Sequence, residues 1–313
     1  MKGLEISRAY FERYGRPMLE ARFPGLLPLV AAGLCGAGSE CFGYDDELSR
    51  DHDFEPGFCL FLPGEDVVDR RTAFLLERAY ASLPRTFMGL ERGLMQPVGG
   101  PRRGVLRLGE YYKEKVGAAD GVLTLGQWLS TPSQALAEAV NGEIFYDGPG
   151  DITRMREGLR HYPEPVRLKK LAGSLLMMGQ AGQYNYWRCI GHGETGAAQL
   201  AAGEFVHHAM EAVFLLSGVY RPYYKWCFRA LRGLGRLGLL AELFEYLLTT
   251  DNDGDMAASK RDVMEGIAGD IIAELRRQGL TEADCGDLEK HAYSVNEAIR
   301  DPELRNAHIL MAI

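Results

Sequence analysis

No C-x-x-C pair occurs in the 313 residues, although six cysteines are present: Cys35, Cys41, Cys59, Cys189, Cys227 and Cys285. That spacing excludes the usual zinc and dithiol motifs, and apolar or helical surroundings argue against a disulfide framework. Reduced thiols in a cytoplasmic protein are the expectation. No stretch approaches the roughly 18 uninterrupted apolar residues of a membrane span. The N-terminal "MKGLEISRAYFERYGRP" is amphipathic and charged, without the apolar centre of a secretory signal. Excess positive charge is missing too. The formal net charge is −8, so a small molecule or protein is the expected partner, with neither nucleic acid nor membrane expected. Internal repeats, low-complexity tracts and Ser-His-Asp or Cys-His arrangements are absent as well.

What is present divides near residue 150. Apolar spacing predicts a first helix over 4–22. "GLLPLVAAGLCG" suits a buried strand followed by a turn, and "HDFEPGFCLFLP" a second strand broken near Pro56 and Gly57. "VVDRRTAFLLERAYASL" reads as a helix. "GVLRLGEYYKEKVG" and "GVLTLGQWLS" each read as a strand running into a helix, and "GEIFYDGPG" as a strand and turn. Alternating strands and helices predict an α/β (α+β) layer with a mixed sheet over 1–150. From Asp151, a candidate helix N-cap, about six helices and no convincing strand predict an all-α bundle over 151–313.

The most informative stretch is "GAGSECFGYDDELSRDHDF", residues 36–54. Glycine lets a backbone approach phosphate closely, and Ser39 after Gly38 adds a hydroxyl donor. On a strand, Asp51 and Asp53 point to one face, about 6.5–7 Å apart along the chain. Two carboxylates so placed suit hard cations such as Mg²⁺. Glu55 shares that face if the strand continues, while His52 and Phe54 face away. A strand, Gly-Ser, a polar-leaning segment, Ser-x-Asp-x-Asp and an apolar strand form a far more specific pattern than any one part.

This pattern resembles the signature of the DNA polymerase β-like nucleotidyltransferase superfamily, which includes kanamycin and streptomycin nucleotidyltransferases. Within it, the chain looks most like an uncharacterised bacterial family, domain of unknown function 4037. "NGEIFYDGPGDITRMREGLRHYP" (141–163) and "YRPYYKW" (220–226) are similar to that family, and "NEAIRDPELR" more weakly. The resemblance implies a nucleotidyltransferase-like domain over 1–150, with the helical domain closing the cleft. Gly38 and Ser39 would hold the triphosphate, and Asp51 and Asp53 would be catalytic and bind Mg²⁺ or Mn²⁺. Tyr224 would stack on the base and Lys225 contact phosphate. The implied reaction moves a nucleoside monophosphate from an NTP, ATP by resemblance, to a hydroxyl of a small molecule or protein. The superfamily usually adds a third carboxylate on a later strand. "RRGVLRLGEYY" carries Leu106 and Arg107 at its centre instead, leaving Glu110, Asp120 and Glu143 as substitutes. Two alternatives stay open: a catalytically weak or inactive nucleotide-binding regulatory module, and an interaction protein of the toxin–antitoxin type.

Other features carry plainer readings. Glu204, His207, His208 and Glu211 share neighbouring helical positions, but no second Glu-x-x-His helix completes a dimetal site. Glu204 is a weaker candidate base. "TTDNDGDMAASKRD" opens like a calcium loop, yet Met256 stands sixth and Asp262 twelfth, so a solvated interhelical turn is expected. "CIGHGETG" follows no strand and reads as a mobile loop from which Arg188 and His192 could reach a ligand. "GGPRRG" (99–104) reads as a solvated basic turn.

Overall fold

The computed structural model describes residues 1–47, 55–93 and 102–313, which fall into two compact units. The first comprises 1–127 and 131–160, the second 128–130 and 161–313.

In the first unit, residues 3–22 are helical throughout: α1 (Gly3–Tyr10), a π-helical turn (Phe11–Gly15) and α2 (Arg16–Arg22). Gly15 lets this helix lie against Phe58, since a Cβ there would sit 2.5 Å from the ring. Only the second half of the first expected strand is extended, as β1 (Ala31–Leu34). Pro24–Leu29 forms 3₁₀ turns instead, because Pro24 and Pro28 offer no N–H to a ladder. β2 (Cys59–Leu62) begins beyond Pro56. α3 (Arg70–Ala81) follows, its first turn capped by Asp69, which accepts from the Thr72 N–H at 2.7 Å.

A short hairpin, β3 (Thr86–Phe87) with β4 (Leu90–Glu91), was not legible in the sequence. Its turn holds Met88 and Gly89 at positive φ, the geometry that matches strand twist. β5 (Gly104–Arg107) runs into α4 (Leu108–Val116), as expected. The similar-looking "GVLTLGQWLS" has no strand. Asp120 accepts from the Val122 N–H in a turn, and α5 (Leu125–Ser130) follows. α6 (Ser133–Val140), β6 (Glu143–Asp147) and α7 (Asp151–Gly158) complete this part. The expected Asp151 cap is corrected: Gly150 occupies the cap position, and the Asp147 carboxylate accepts from the N–H groups of Gly150 and Thr153.

The sheet order is β5-β2-β1-β6, with β1 antiparallel to both neighbours and β2 parallel to β5. Every residue of β1 and β2 is buried, so these strands read as unbroken apolar runs rather than alternating ones. One face, with Val30, Ala32, Phe58, Leu60 and Leu62, packs on Tyr10, Phe11 and Leu19 and on Leu76 of α3. On the other, Phe61 meets Tyr111 of α4 edge to face, ring centroids 5.2 Å apart. Gly33 faces a kink between β1 and β6, where a Cβ would lie 2.5 Å from the Glu143 carbonyl oxygen.

The second unit is helical, and no strand occurs among its described residues. α8 (Glu164–Met178) is buried nearly all round and continues through a π segment (Gly179–Tyr186) into α9 (Trp187–Gly191). α10 (Thr195–Leu216), α11 (Tyr224–Leu231), α12 (Leu240–Thr249), α13 (Asp255–Arg277), α14 (Leu288–Glu297) and α15 (Pro302–Asn306) follow. The calcium-like segment is the turn between α12 and α13, but it is not wholly solvated. Asn252 is buried and accepts from the Tyr186 hydroxyl at 2.9 Å.

Three lysines are buried here. Lys169 Nζ donates to Asn296 Oδ1 at 2.9 Å and to the Ala307 carbonyl at 2.7 Å. Lys170 Nζ donates to the carbonyls of Leu129 (2.8 Å) and Ala312 (3.3 Å). Lys260 Nζ donates to Gln199 Oε1 (2.7 Å) and the Thr250 carbonyl (2.8 Å). Burial lowers the pKa of all three. Helix ends leave carbonyls without intrahelical donors, and a buried ammonium answers that need.

Candidate functional site

The turn after β1 is built around two glycines and one amide. Asn141, at the end of α6, clamps Gly36: its Oδ1 accepts from the Gly36 N–H and its Nδ2 donates to the Gly36 carbonyl, both at 2.8 Å. Gly36 and Gly38 hold φ at +100° and +125°. At Gly38 a Cβ would also lie 2.7 Å from the Glu40 carboxylate, and the positive φ strains any other residue there. Ser39 starts a short 3₁₀ turn (Glu40–Phe42), its carbonyl accepting from Phe42 and Tyr44. Among the described residues, the N–H groups of Ala37, Gly38 and Ser39 find no acceptor, and the Ser39 hydroxyl finds no partner. Successive outward N–H groups form an anion-binding concavity.

Buried charges brace this turn. Glu40 pairs with Arg103 at 3.1 Å, and Arg103 reaches Glu55 at 3.7 Å. Asp45 is buried and accepts from the Gly3 N–H at 2.9 Å, with Lys2 Nζ 3.6 Å from its other oxygen. Within the basic stretch, the Arg103 side chain is therefore interior rather than solvated. Sequence reasoning missed this group. Its signal was an acid directly after Gly-Ser together with an arginine ahead of β5. Asp51 and Asp53 lie outside the described residues.

Beside the turn is a cleft of about 370 Å³, lined by Cys35, Gly36 and Ala37, by the cations Arg102, Arg107 and Lys115, and by the acids Glu77, Glu110 and Glu114. Of the three substitute acids, Glu110 shares this cleft with the turn. Glu143 is ion-paired with Arg8, and Asp120 accepts in its own turn. Cys35 and Cys59 also line the cleft, and burial pushes both thiols up, as it does Cys41.

Tyr224 and Lys225 belong to the second unit, at the start of α11. Tyr224 is 73% exposed and lies beside Tyr223, ring centroids 4.2 Å apart. Lys225 Nζ is 5.1 Å from the Trp226 ring centroid. On α10, Glu204 meets His208 Nε2 at 3.2 Å, and burial with the neighbouring His207 lowers the His208 pKa. Arg188 lies over the Tyr184 ring at 5.0 Å. Among the described residues, no group of three or more His, Cys, Asp or Glu is placed to hold a metal ion, and no helix is long and apolar enough to cross a membrane.

Residues 128–227 match the family described as "Domain of unknown function (DUF4037)". That segment includes Asn141, Tyr224 and Lys225 and leaves Gly38 and Ser39 outside. No curated protein sequence matches the chain. Among solved structures, a nucleotidyltransferase-like protein from Exiguobacterium sibiricum 255-15 is similar, with a TM-score of 0.39 and 13% identity over 92% of this chain and 80% of that one.

Proposed function

We propose that the first unit binds a nucleoside triphosphate, ATP in the leading form, at the turn 36–39, and that the chain moves the nucleoside monophosphate to an acceptor hydroxyl on a small molecule or protein. The observation that carries this reading is the set of three consecutive N–H groups without acceptors among the described residues, in a turn where Gly38 holds a positive φ that favours glycine. They would hold phosphate oxygens, aided by the Ser39 hydroxyl. Asp51 and Asp53 are hard oxygen donors, the chemistry Mg²⁺ or Mn²⁺ prefers, and the bound ion would neutralise phosphate charge. The acceptor oxygen would bond to the α-phosphorus as its bond to the β-bridging oxygen breaks, with pyrophosphate leaving. Glu110 would take the hydroxyl proton.

One observation favours binding without transfer. β5, parallel to β2, carries no carboxylate along Gly104–Arg107. Calorimetric titration with ATP and Mg²⁺, followed by a labelled-ATP transfer assay, separates the readings. Metal-dependent binding lost in Asp51→Asn/Asp53→Asn and weakened in Ser39→Ala is the expected result. Transfer lost in Glu110→Gln with binding kept would support the enzyme; binding with no turnover in the wild type would support the module. No binding of any NTP would overturn both.

A further inference from the structure

We propose that Arg156, acting through Asn141, is a positioning residue for the turn 36–39: it fixes the backbone corner that sets where the N–H groups of Ala37, Gly38 and Ser39 point. The part of this that concerns affinity rests on the reading of that turn as a triphosphate site. Arg156 lies on α7 and is half-buried. Its Nη1 donates to the Asn141 carbonyl at 2.7 Å, and its Nη2 donates to the carbonyls of Val140 at 2.7 Å and Gly142 at 3.3 Å. One planar guanidinium thus gathers three successive carbonyls between the end of α6 and the start of β6.

That corner grips the turn on both sides of the outward N–H groups. Ahead of them, the Asn141 side chain occupies both backbone groups of Gly36. Behind them, the Gly142 N–H donates to the Cys41 carbonyl at 2.8 Å. The approach is close, for Gly142 has a φ of +68° and a Cβ there would lie 2.1 Å from the Leu34 carbonyl oxygen. Two anchors on one corner leave the segment between them little freedom, and a site ordered before its anion arrives loses less entropy on binding. Capping of α6 by a cation would account for the carbonyl contacts. It would not account for the Asn141 amide facing Gly36, nor for Gly142 bonding to Cys41. The charge of Arg156 also reaches this region, where it opposes the rise that burial imposes on the Cys35 thiol, so charge and position have to be told apart.

The test follows Gly36 amide exchange by NMR in the free full chain, and the affinity for ATP with Mg²⁺ by calorimetry. Arg156→Met and Asn141→Ala should each speed Gly36 exchange at least about tenfold and raise Kd about tenfold. The double variant should lose little more than either single one, because both act on one contact. Arg156→Lys keeps the charge but not the fork, and should restore only part of the loss. Thermal unfolding checks that each variant is folded, and Arg156→Lys carries the comparison if Arg156→Met is not. Unchanged Gly36 exchange in the Arg156 variants would overturn the proposal. So would additive losses in the double variant, or full restoration by lysine, which would make Arg156 a source of charge alone. If the wild type binds no ATP, the nucleotide reading falls, and Gly36 exchange still decides the role of Arg156.

Discussion

The two units keep charge in their interiors in opposite ways. In the first, the buried groups are carboxylates, Glu40 and Asp45, answered by Arg103 and by the start of α1. In the second, three of the four buried Lys and Glu side chains are ammonium groups, Lys169, Lys170 and Lys260, answered mainly by neutral carbonyl and amide oxygens, and the fourth is a carboxylate, Glu274, held by Arg277 and Gln278. The difference follows from architecture. A sheet-based layer leaves irregular turns whose N–H groups and arginines suit acids, whereas a bundle accumulates helix ends rich in unpaired carbonyls. It also separates their tasks. The acids of the first unit brace one turn, and the lysines of the second join segments far apart in sequence.

Because Trp128, Trp187 and Trp226 all lie in the second unit, tryptophan fluorescence follows that unit while circular dichroism follows both. The largest effect is expected at Arg103. Arg103→Met leaves Glu40 buried without its cation, at a cost of about 3–5 kcal/mol. In urea, the circular dichroism transition should move to lower concentration while the tryptophan transition stays. A common shift of both would break the comparison. Lys260→Met should do the reverse, with a loss of about 1–3 kcal/mol from the orphaned Thr250 carbonyl, read by tryptophan fluorescence.

The smallest effect is in pH, and its sign differs between the units. The lysines have folded values below the ordinary 10.5. Between the lowered values and 10.5 the unfolded chain holds more protons, so their contribution to stability rises with pH across that window. Cys35, Cys41 and Cys59 have folded values above the ordinary 9.0. Their contribution is complete below 9.0 and is lost as pH rises through the folded values. From pH 8 to 10 the second unit should gain relative to the first, with Cys227, also raised, offsetting part of the gain. Lys260→Met should flatten the tryptophan-monitored slope.

Much of this was legible in the sequence. The division into a mixed sheet and a helical part followed from periodicity, and Gly38 from the Gly-Ser signature. What was not legible depended on tertiary partners. Two arginines after "GGP" look the same whether solvated or interior, and only the fold brings Glu40 and Glu55 to Arg103. Nothing in "RLKKLAG" shows that both lysines are inside, because their acceptors lie more than a hundred residues away or in another helix. "GVLRLG" and "GVLTLG" differ by one residue. One forms a strand because β2 is available to pair with it, and the other becomes a turn.

The anchoring of α8 also sets a schedule. The Lys169 carbonyl partner is 138 residues further along the chain. At cellular synthesis rates of about 5–20 residues per second, that interval lasts on the order of ten seconds. Through it, α8 exists without the segment that satisfies its ammonium groups, and Gly173 waits for Ile313, whose side chain would lie 2.6 Å from a Cβ placed there. A helix buried nearly all round is thus one whose burial waits on a segment made well over a hundred residues later.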